Sequence, residues 1–470
     1  MTYRLLFAST ALAGATLAAS PAAAQHEGHG GHTMPMPAPA PPVAAPPAEP
    51  DQPPMDPHMD HSAHSPVGDD VVEEGDAGGE GHGMTHNTGA LGGYPMGREA
   101  SGTSWQPDTS EHGGVHLMAG DWALMGHAVL NGVYDRQEGP RGGEKAFVSG
   151  MLMGSARRPV GAGGTFQLRA MLSPDPLMGK SGYPLHLASG ETANGVTPLV
   201  DRQHPHDFFM ELSASYSQRL SDRASLFVYA GLPGEPAFGP PAFMHRLSIM
   251  DSPEAPISHH WLDSTHIAFG VVTAGLVAGN VKVEASRFNG REPDQHRWNI
   301  ETGPLDSTAV RVSWNPTRPL SLQGSWGHFV EPEQIEPGEN QRRWSASAIW
   351  TKPLANGWWS TSLAWGRRST GHEDLDAFTL ESAVRKGQWT VFARAERTEN
   401  DELTFAGGHH GPLYKVGKVS LGFVRDFRVA EHISFGAGAL VSRNFVPRTL
   451  EALYAGDPRG AMAFVRVKVD

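Results

Sequence analysis

The 470-residue chain has no cysteine. This absence excludes disulfide scaffolds, cysteine zinc sites, iron–sulfur ligation and thiol catalysis. The chain also lacks a basic balance, because 37 Lys and Arg stand against 50 Asp and Glu, a net charge of −13. Nucleic-acid binding needs a basic face, so no nucleic-acid partner is expected. After the N-terminal leader no apolar run approaches about 18 residues, so no spanning helix is expected.

The leader itself has the pattern of a secretory signal. Arg4 precedes an apolar stretch over residues 5–19, Pro21 ends that stretch, and Ala22 to Ala24 provide small residues for cleavage. We interpret residues 1–24 as a signal peptide that is removed before Gln25. An uncleaved membrane anchor is the alternative.

Residues 25–118 are interpreted as an acidic tail on the periplasmic side. The stretch 25–97 is rich in Pro, Gly, Ala, His and Met, and it contains acidic residues but no Lys or Arg. It has almost no aromatic or β-branched residues, so it cannot bury enough apolar area to offset the entropy of ordering. We therefore predict that this tail is disordered.

The tail carries a repeated H-x2-H-x2-H spacing and interspersed methionines. Imidazole and thioether groups in one acidic chain are the donors expected for copper, whereas zinc and nickel also bind imidazole and remain open. A polar linker without a ligand is the plainer alternative. The candidate metal ligands are His26, His29, His32, Met34, Met36, Met55, His58, Met59, His61, His64, His82, Met84 and His86.

Residues 119–470 show alternation of apolar and polar residues with a period of two, which is typical of strands. We predict the following sixteen strands: 121–134, 144–156, 164–172, 207–218, 224–231, 266–275, 280–288, 307–314, 320–330, 342–351, 357–367, 375–385, 388–397, 414–426, 432–444 and 460–470. Short and long connections alternate along the chain, the pattern of an antiparallel transmembrane β-barrel. The fold class is therefore all-β, with a barrel of about 16 strands behind the disordered tail.

The two faces of the predicted strands separate a barrel from its alternatives, a soluble β-sandwich or a propeller. A sandwich interior must be apolar, yet one face carries Arg169, Glu211, Glu284, Arg311, Arg394, Glu396, Lys418 and Arg466. A barrel lumen accepts such a face, with lipid of the cell outer membrane on the other side. Trp314, Trp350, Trp358 and Trp389 fall beside predicted short turns, where an interfacial aromatic girdle is expected.

The His- and Met-rich tail followed by a barrel resembles the architecture of bacterial outer-membrane proteins of metal-resistance systems, such as copper resistance protein B. The residue-level similarity is confined to the H-x2-H-x2-H and Met clusters of the tail. The resemblance implies copper handling in the periplasm, with periplasmic metal-handling proteins as candidate partners. One departure is the C-terminus, which ends on Asp470 where such barrels usually end on an aromatic residue.

The two longest loops predict a second candidate site for a metal or a substrate. Loops on a rigid scaffold often carry function, although ordinary hydrogen bonding is the alternative for each single histidine. The residues are His204, His206, Asp207, His245, His259, His260, Asp263 and His266.

Two functions follow from these patterns. The first is an outer-membrane protein that binds periplasmic metal through its tail and contributes to metal tolerance or export. The alternative is a porin-like channel for a small solute. No combination of nucleophile, base and oxyanion site is apparent, so we do not predict an enzyme.

Overall fold

A computed structural model describes residues 88–111, 113–404 and 411–470 of the chain. The predicted signal peptide and the tail ligands from His26 to His86 lie outside these residues, so both remain predictions. In the part of the chain that is described, no helix has the length and apolar character needed to cross a membrane.

Within the described residues, nineteen strands make up almost all of the regular structure. They are β1 (Val115–Ala119), β2 (Trp122–Gln137), β3 (Gly143–Val160), β4 (Gly164–Leu172), β5 (Tyr183–Thr192), β6 (Pro198–Gln203), β7 (Phe209–Ser221), β8 (Ala224–Gly231), β9 (Val271–Ala278), β10 (Val281–Phe288), β11 (Ser307–Thr317), β12 (Leu320–Phe329), β13 (Gln341–Leu354), β14 (Gly357–Ser369), β15 (Asp374–Lys386), β16 (Trp389–Asn400), β17 (Tyr414–Ala430), β18 (Ile433–Phe445) and β19 (Arg459–Val469). Two α-helical turns are present, α1 (His259–Leu262) and α2 (Glu451–Tyr454). Short 3-10 turns cover Met96–Arg98, Asp175–Met178, Phe243–His245, Ser264–His266 and Arg448–Leu450.

Sixteen of the strands form a closed antiparallel barrel. Each of β2, β3, β4 and β7 to β19 pairs with the next strand, and β19 pairs with β2, with Val469 opposite Ala128. Strand β1 pairs with the first residues of β2, and β5 and β6 form a separate hairpin. The predicted fold class and strand number are therefore confirmed. The sixth strand begins at Val271 rather than at residue 266, because Ser264–His266 forms a 3-10 turn.

The alternation along each strand separates an apolar outside from a charged inside, because successive side chains point to opposite faces. Leu421, Val441 and Val465 are exposed on the outer face. The eight charged residues predicted to face the lumen all lie on barrel strands and are shielded from solvent, with Lys418 and Arg311 almost fully buried. The predicted lumen face is therefore correct.

The predicted aromatic girdle needs one correction. Trp314 and Trp389 are exposed on the outer face, and Trp350 packs edge-on against Trp359 at 5.2 Å between ring centroids. Trp358 instead faces inward, where it is buried and its Nε1 donates to Glu111. Neighbouring residues of a strand cannot share a face, so Trp359 takes the outer position that the sequence analysis gave to Trp358.

The long connection from β8 to β9, residues 232–270, folds into the lumen. It contacts wall strands on several sides: Glu254 pairs with Lys418 of β17 at 2.6 Å, and Asp251 pairs with Arg466 of β19 at 2.6 Å. Trp261 Nε1 donates to the carbonyl of Leu375 on β15 at 3.0 Å. A segment can reach these separate strands only from inside the barrel, so this loop fills part of the lumen.

Residues 88–111 also lie within the barrel, although the sequence analysis assigned them to the disordered tail. Arg98 donates to the carbonyl of Gly279 at 3.0 Å, and Thr103 donates to Glu284 of β10 at 2.5 Å. Trp105 is buried with Phe227 of β8. The part of the chain that packs with the barrel thus begins by residue 88, well before residue 119.

Candidate metal centre in the lumen

Three buried histidines meet inside the barrel. His206 precedes β7, His259 begins α1, and His266 ends the following 3-10 turn. One ring nitrogen of each lies within 4.8 Å of a ring nitrogen of the other two. The ring centroids of His206 and His259 are 5.2 Å and 5.3 Å from that of His266. Of the predicted second site, these are the residues that the fold brings to one point, and we call them the three-histidine site.

The local sequence orients two of these rings through one residue. Asp263 directly follows the helical turn α1 and lies four residues after His259. This spacing places both side chains on one face. His259 Nδ1 is 2.8 Å from Asp263 Oδ1. The 3-10 turn that follows brings His266 Nδ1 to 2.7 Å from the backbone carbonyl oxygen of Asp263.

The third ring is held by a residue from a different loop. His206 Nδ1 lies 2.8 Å from Asp175 Oδ2, and Asp175 Oδ1 accepts from the backbone N–H of Gly150 on β3 at 3.2 Å. Gly150 has φ of 134°, and a Cβ there would lie 2.0 Å from the carbonyl oxygen of Val129. A glycine is therefore required at the wall position that anchors Asp175.

These hydrogen bonds define which ring nitrogen can bind a metal. A carbonyl oxygen only accepts, so Nδ1 of His266 carries the proton and Nε2 carries the lone pair. The same tautomer follows for His206 and His259, whose Nδ1 atoms lie beside carboxylate oxygens of Asp175 and Asp263. Within the described residues, Nε2 of His206 and Nε2 of His266 are buried without a hydrogen-bond partner. Three buried imidazoles with ring nitrogens within 4.8 Å of one another are a donor set for a cation, and a carboxylate behind the imidazole is the usual support of a metal ligand.

Burial keeps the rings of His259 and His266 neutral. Burial lowers the pKa of His259, and it lowers the pKa of His266 well below its ordinary value. Burial opposes ionisation of Asp263, but the Arg246 guanidinium lowers the pKa of this carboxyl. Arg246 lies 2.6 Å from Asp263 and 2.9 Å from Glu381 of β15. An ionised Asp263 and neutral imidazoles are the protonation states that metal binding requires.

The lowered pKa values predict that the lumen holds its metal under acid conditions. An imidazole binds metal only when it is neutral, and burial keeps His259 and His266 neutral until the pH falls below their lowered pKa. Histidines that are not buried have a pKa of about 6.5 and protonate first. We expect the metal content of a variant lacking residues 25–87 to change little between pH 7.5 and pH 6. Metal analysis after equilibration at each pH measures this, and loss of metal in step with ordinary histidine titration would contradict it.

The remaining residues of the predicted second site form ion pairs beside the three histidines. His204 Nε2 lies 3.2 Å from Glu191, and His260 Nδ1 lies 3.3 Å from Glu292. Burial opposes protonation of His260, but the Glu292 carboxylate raises its pKa to about 9. A protonated imidazole cannot bind metal, which separates His260 from the three-histidine site.

Asp207 and His245 also have partners elsewhere. Asp207 pairs with Arg297 at 3.0 Å, and Arg297 also binds Glu191. His245 Nε2 lies 3.4 Å from the sulfur of Met171. The prediction of a single eight-residue cluster is thus too broad, because the fold distributes these side chains among neighbouring contacts.

Sequence reasoning included Asp263, which orients two of the rings, but it missed Asp175 and Arg246. Asp175 lies in a predicted loop before a proline, with no motif that marks it as a partner of His206. Arg246 stands next to His245 in the sequence, but its pairing with Glu381 spans 135 positions. Such distant pairs leave no local pattern, so only the fold could reveal them.

No protein-family profile matches the chain, and no curated protein is similar to it. Solved structures with a similar fold include OmpT of Vibrio cholerae, at 8% identity and a TM-score of 0.44 over 75% of this chain and 100% of that one. Salmonella typhi OmpF in complex with daunomycin shows 10% identity and a TM-score of 0.48 over 75% and 100%. An anion-selective porin from Comamonas acidovorans shows 11% identity and a TM-score of 0.43 over 74% and 99%. The barrel assignment itself rests on the strand pairing described above.

Proposed function

We propose that this protein is an outer-membrane β-barrel that binds a transition-metal ion inside its lumen and contributes to metal handling at that membrane. The observation that carries the proposal is the three-histidine site, in which each Nδ1 is held by an oxygen and one ring nitrogen of each residue lies within 4.8 Å of one on each of the others. Imidazole donors suit copper, zinc and nickel, and copper(II) binds such sites most tightly among the divalent ions. Copper is therefore the ion we expect.

The outer-membrane location is part of this proposal. A closed barrel leaves no free sheet edge, and the apolar outer face fits the lipid of a membrane. Short turns lie at one end of the barrel, the end that faces the periplasm in bacterial barrels. The first described residues lie at this end, since the carbonyl of Leu91 accepts from Ser225, beside the short turn between β7 and β8. This supports a periplasmic position for the residues that precede them.

The tail then has a role that stays a prediction. Its His and Met residues would collect copper in the periplasm and exchange it with periplasmic metal-handling proteins. The tail and the lumen would then be two metal-binding places along the chain. Metal bound there would contribute to tolerance of the cell or to export of the ion.

Metal stoichiometry of the purified protein tests the proposal. We would load the mature full chain and a variant lacking residues 25–87 with Cu(II), Zn(II) or Ni(II), and measure the bound metal after desalting. Residues 88–111 are retained because they pack inside the barrel. We expect several ions on the full chain and one on the variant. A variant that holds no metal would contradict the lumen site, and equal metal on both would contradict a metal-binding tail.

The closed 16-stranded barrel also favours a second candidate, a porin-like channel for a small solute. Because residues 232–270 lie within the lumen and pair with its wall, we expect no sustained single-channel conductance in planar bilayers. Removal of residues 25–87 should not change this result. Stable conductance in both proteins would favour the channel over the metal site as the main function.

A further inference from the structure

A row of soft donor side chains crosses the lumen wall. His127 of β2 pairs directly with Met153 of β3, and Met153 pairs directly with Met171 of β4. Residues that are directly opposite on antiparallel strands share a face, with Cβ atoms about 4.5–5.5 Å apart. His127 and Met153 line the same cavity inside the barrel, and Met171 is buried. The register thus places one imidazole and two thioethers side by side.

The loop of residues 232–270 adds another imidazole to this row. His245 ends the 3-10 turn Phe243–His245, and its Nε2 lies 3.4 Å from the Met171 sulfur. Met244 packs against the same group of side chains as Met171 and Met153. Donors from three wall strands and from the inner loop therefore meet on one side of the lumen.

The row faces a cavity of about 110 Å³ towards the short-turn end of the barrel. His127, Met153 and His245 line it together with the C-terminal Asp470 and with Arg385, which lies beside the short turn between β15 and β16. Met250 lines this cavity and also a second one of about 60 Å³, which contains His206. The row thus lies between the short-turn end and the three-histidine site.

Methionine also fills irregular gaps in apolar cores, and this is the plain explanation for any one of these residues. It does not account for Met153, which lines a cavity together with Asp251, Lys468 and Asp470. Neutral sulfur and imidazole donors together prefer soft cations such as Cu(I) over hard or borderline divalent ions.

We propose that Met153, Met171 and His245, with His127 beside them, form a second metal site that takes a soft monovalent ion, Cu(I) or Ag(I). This site differs from the three-histidine site in its donors, in the charge of its ion and in its position nearer the short-turn end. The inference does not depend on the proposed function, since either site can bind its ion without the other.

Methyl-labelled methionine makes the site visible in the full mature chain. We would record spectra of protein labelled with [methyl-13C]methionine in detergent micelles, and assign Met153 and Met171 through Met153→Leu and Met171→Leu variants. Addition of Ag(I) nitrate should shift both methyl resonances, whereas Zn(II) should leave them in place. His245→Ala should abolish the Ag(I) shifts. Absence of any Ag(I) shift at Met153 and Met171, or an equal shift with Zn(II), would overturn the proposal.

A matched control comes from another buried methionine of the wall. Met462 of β19 lies in a different group of side chains, so Met462→Leu should leave the Ag(I) shifts of Met153 and Met171 unchanged. Folding of every variant is checked by comparing the gel mobility of heated and unheated samples, because a folded barrel migrates differently from the unfolded chain. Cu(II) binding to the three-histidine site is measured separately, so that failure of one site is distinguishable from failure of the other.

Discussion

Replacement of His266 with alanine will cost the lumen most of its affinity for Cu(II) and Zn(II). His266 supplies one of three facing lone pairs, and its removal leaves two donors in a buried space. Loss of an orienting partner alone costs roughly 10–100-fold in metal affinity, so loss of a ligand should cost more. The measurement is competition with a metal chelator on the variant that also lacks residues 25–87, where the tail does not contribute.

Two further substitutions are compared with His266→Ala, one expected to weaken metal binding and one expected to leave it unchanged. Asp175→Asn removes the carboxylate behind His206 and should weaken metal binding by about 10–100-fold. His296→Ala is the matched control, because His296 lies in another loop, its side chain is 57% exposed and its Nδ1 lies 2.9 Å from Asp294 rather than near the three-histidine site. Equal affinity of the His266→Ala protein and the parent would show that the three histidines do not bind the ion.

Replacement of Asp263 with alanine will destabilise the protein by about 3–5 kcal/mol, the usual cost of breaking a buried ion pair. Asp263 and Arg246 are both almost fully buried, and their side chains are 2.6 Å apart. Without Asp263, the Arg246 guanidinium still pairs with Glu381 but loses its second carboxylate partner. Arg246 is buried, so the lost charge interaction is costly. The same change frees the rings of His259 and His266, so metal binding should fall as well.

The free energy of unfolding in urea, measured for protein inserted in lipid vesicles, checks this prediction. Asp263→Asn keeps the volume of the side chain and separates loss of charge from loss of packing. Asp374→Ala is the control, because Asp374 is largely exposed and 3.6 Å from Arg367, and exposed pairs contribute at most about 1 kcal/mol. A stability of Asp263→Ala equal to that of the control would rule out Asp263 as an anchor of the loop.

The wall of the barrel could be predicted because it repeats a local rule. A strand between lipid and a polar lumen must alternate every second residue, and segments such as 164–172 and 224–231 have the same bounds in the sequence analysis and in the structure. The charged inner face followed from the same rule. The alternation rule does not say which of two adjacent apolar residues points outward. Trp358 and Trp359 are such a pair, and the prediction chose the wrong one.

The site could be predicted only as a set of candidates. The histidine content of the two longest loops marked them as a candidate site. The predicted set of residues includes all three members of the three-histidine site. It could not separate His259, which binds Asp263 in the same turn, from His260, which binds Glu292 in another loop. Both rings face a carboxylate, but burial lowers the pKa of His259 whereas Glu292 raises the pKa of His260.

The sequence by itself determined the barrel, its two faces and the donors available for metal, because each depends on residue type and spacing within one segment. Only the tertiary structure decided that residues 88–111 and 232–270 fill the lumen, which histidines meet, and which carboxylates hold them. The physical reason is that these features depend on pairs between distant parts of the chain, such as Glu254 with Lys418 and His206 with Asp175. Such pairs form only after the closed wall has fixed where each inward side chain lies.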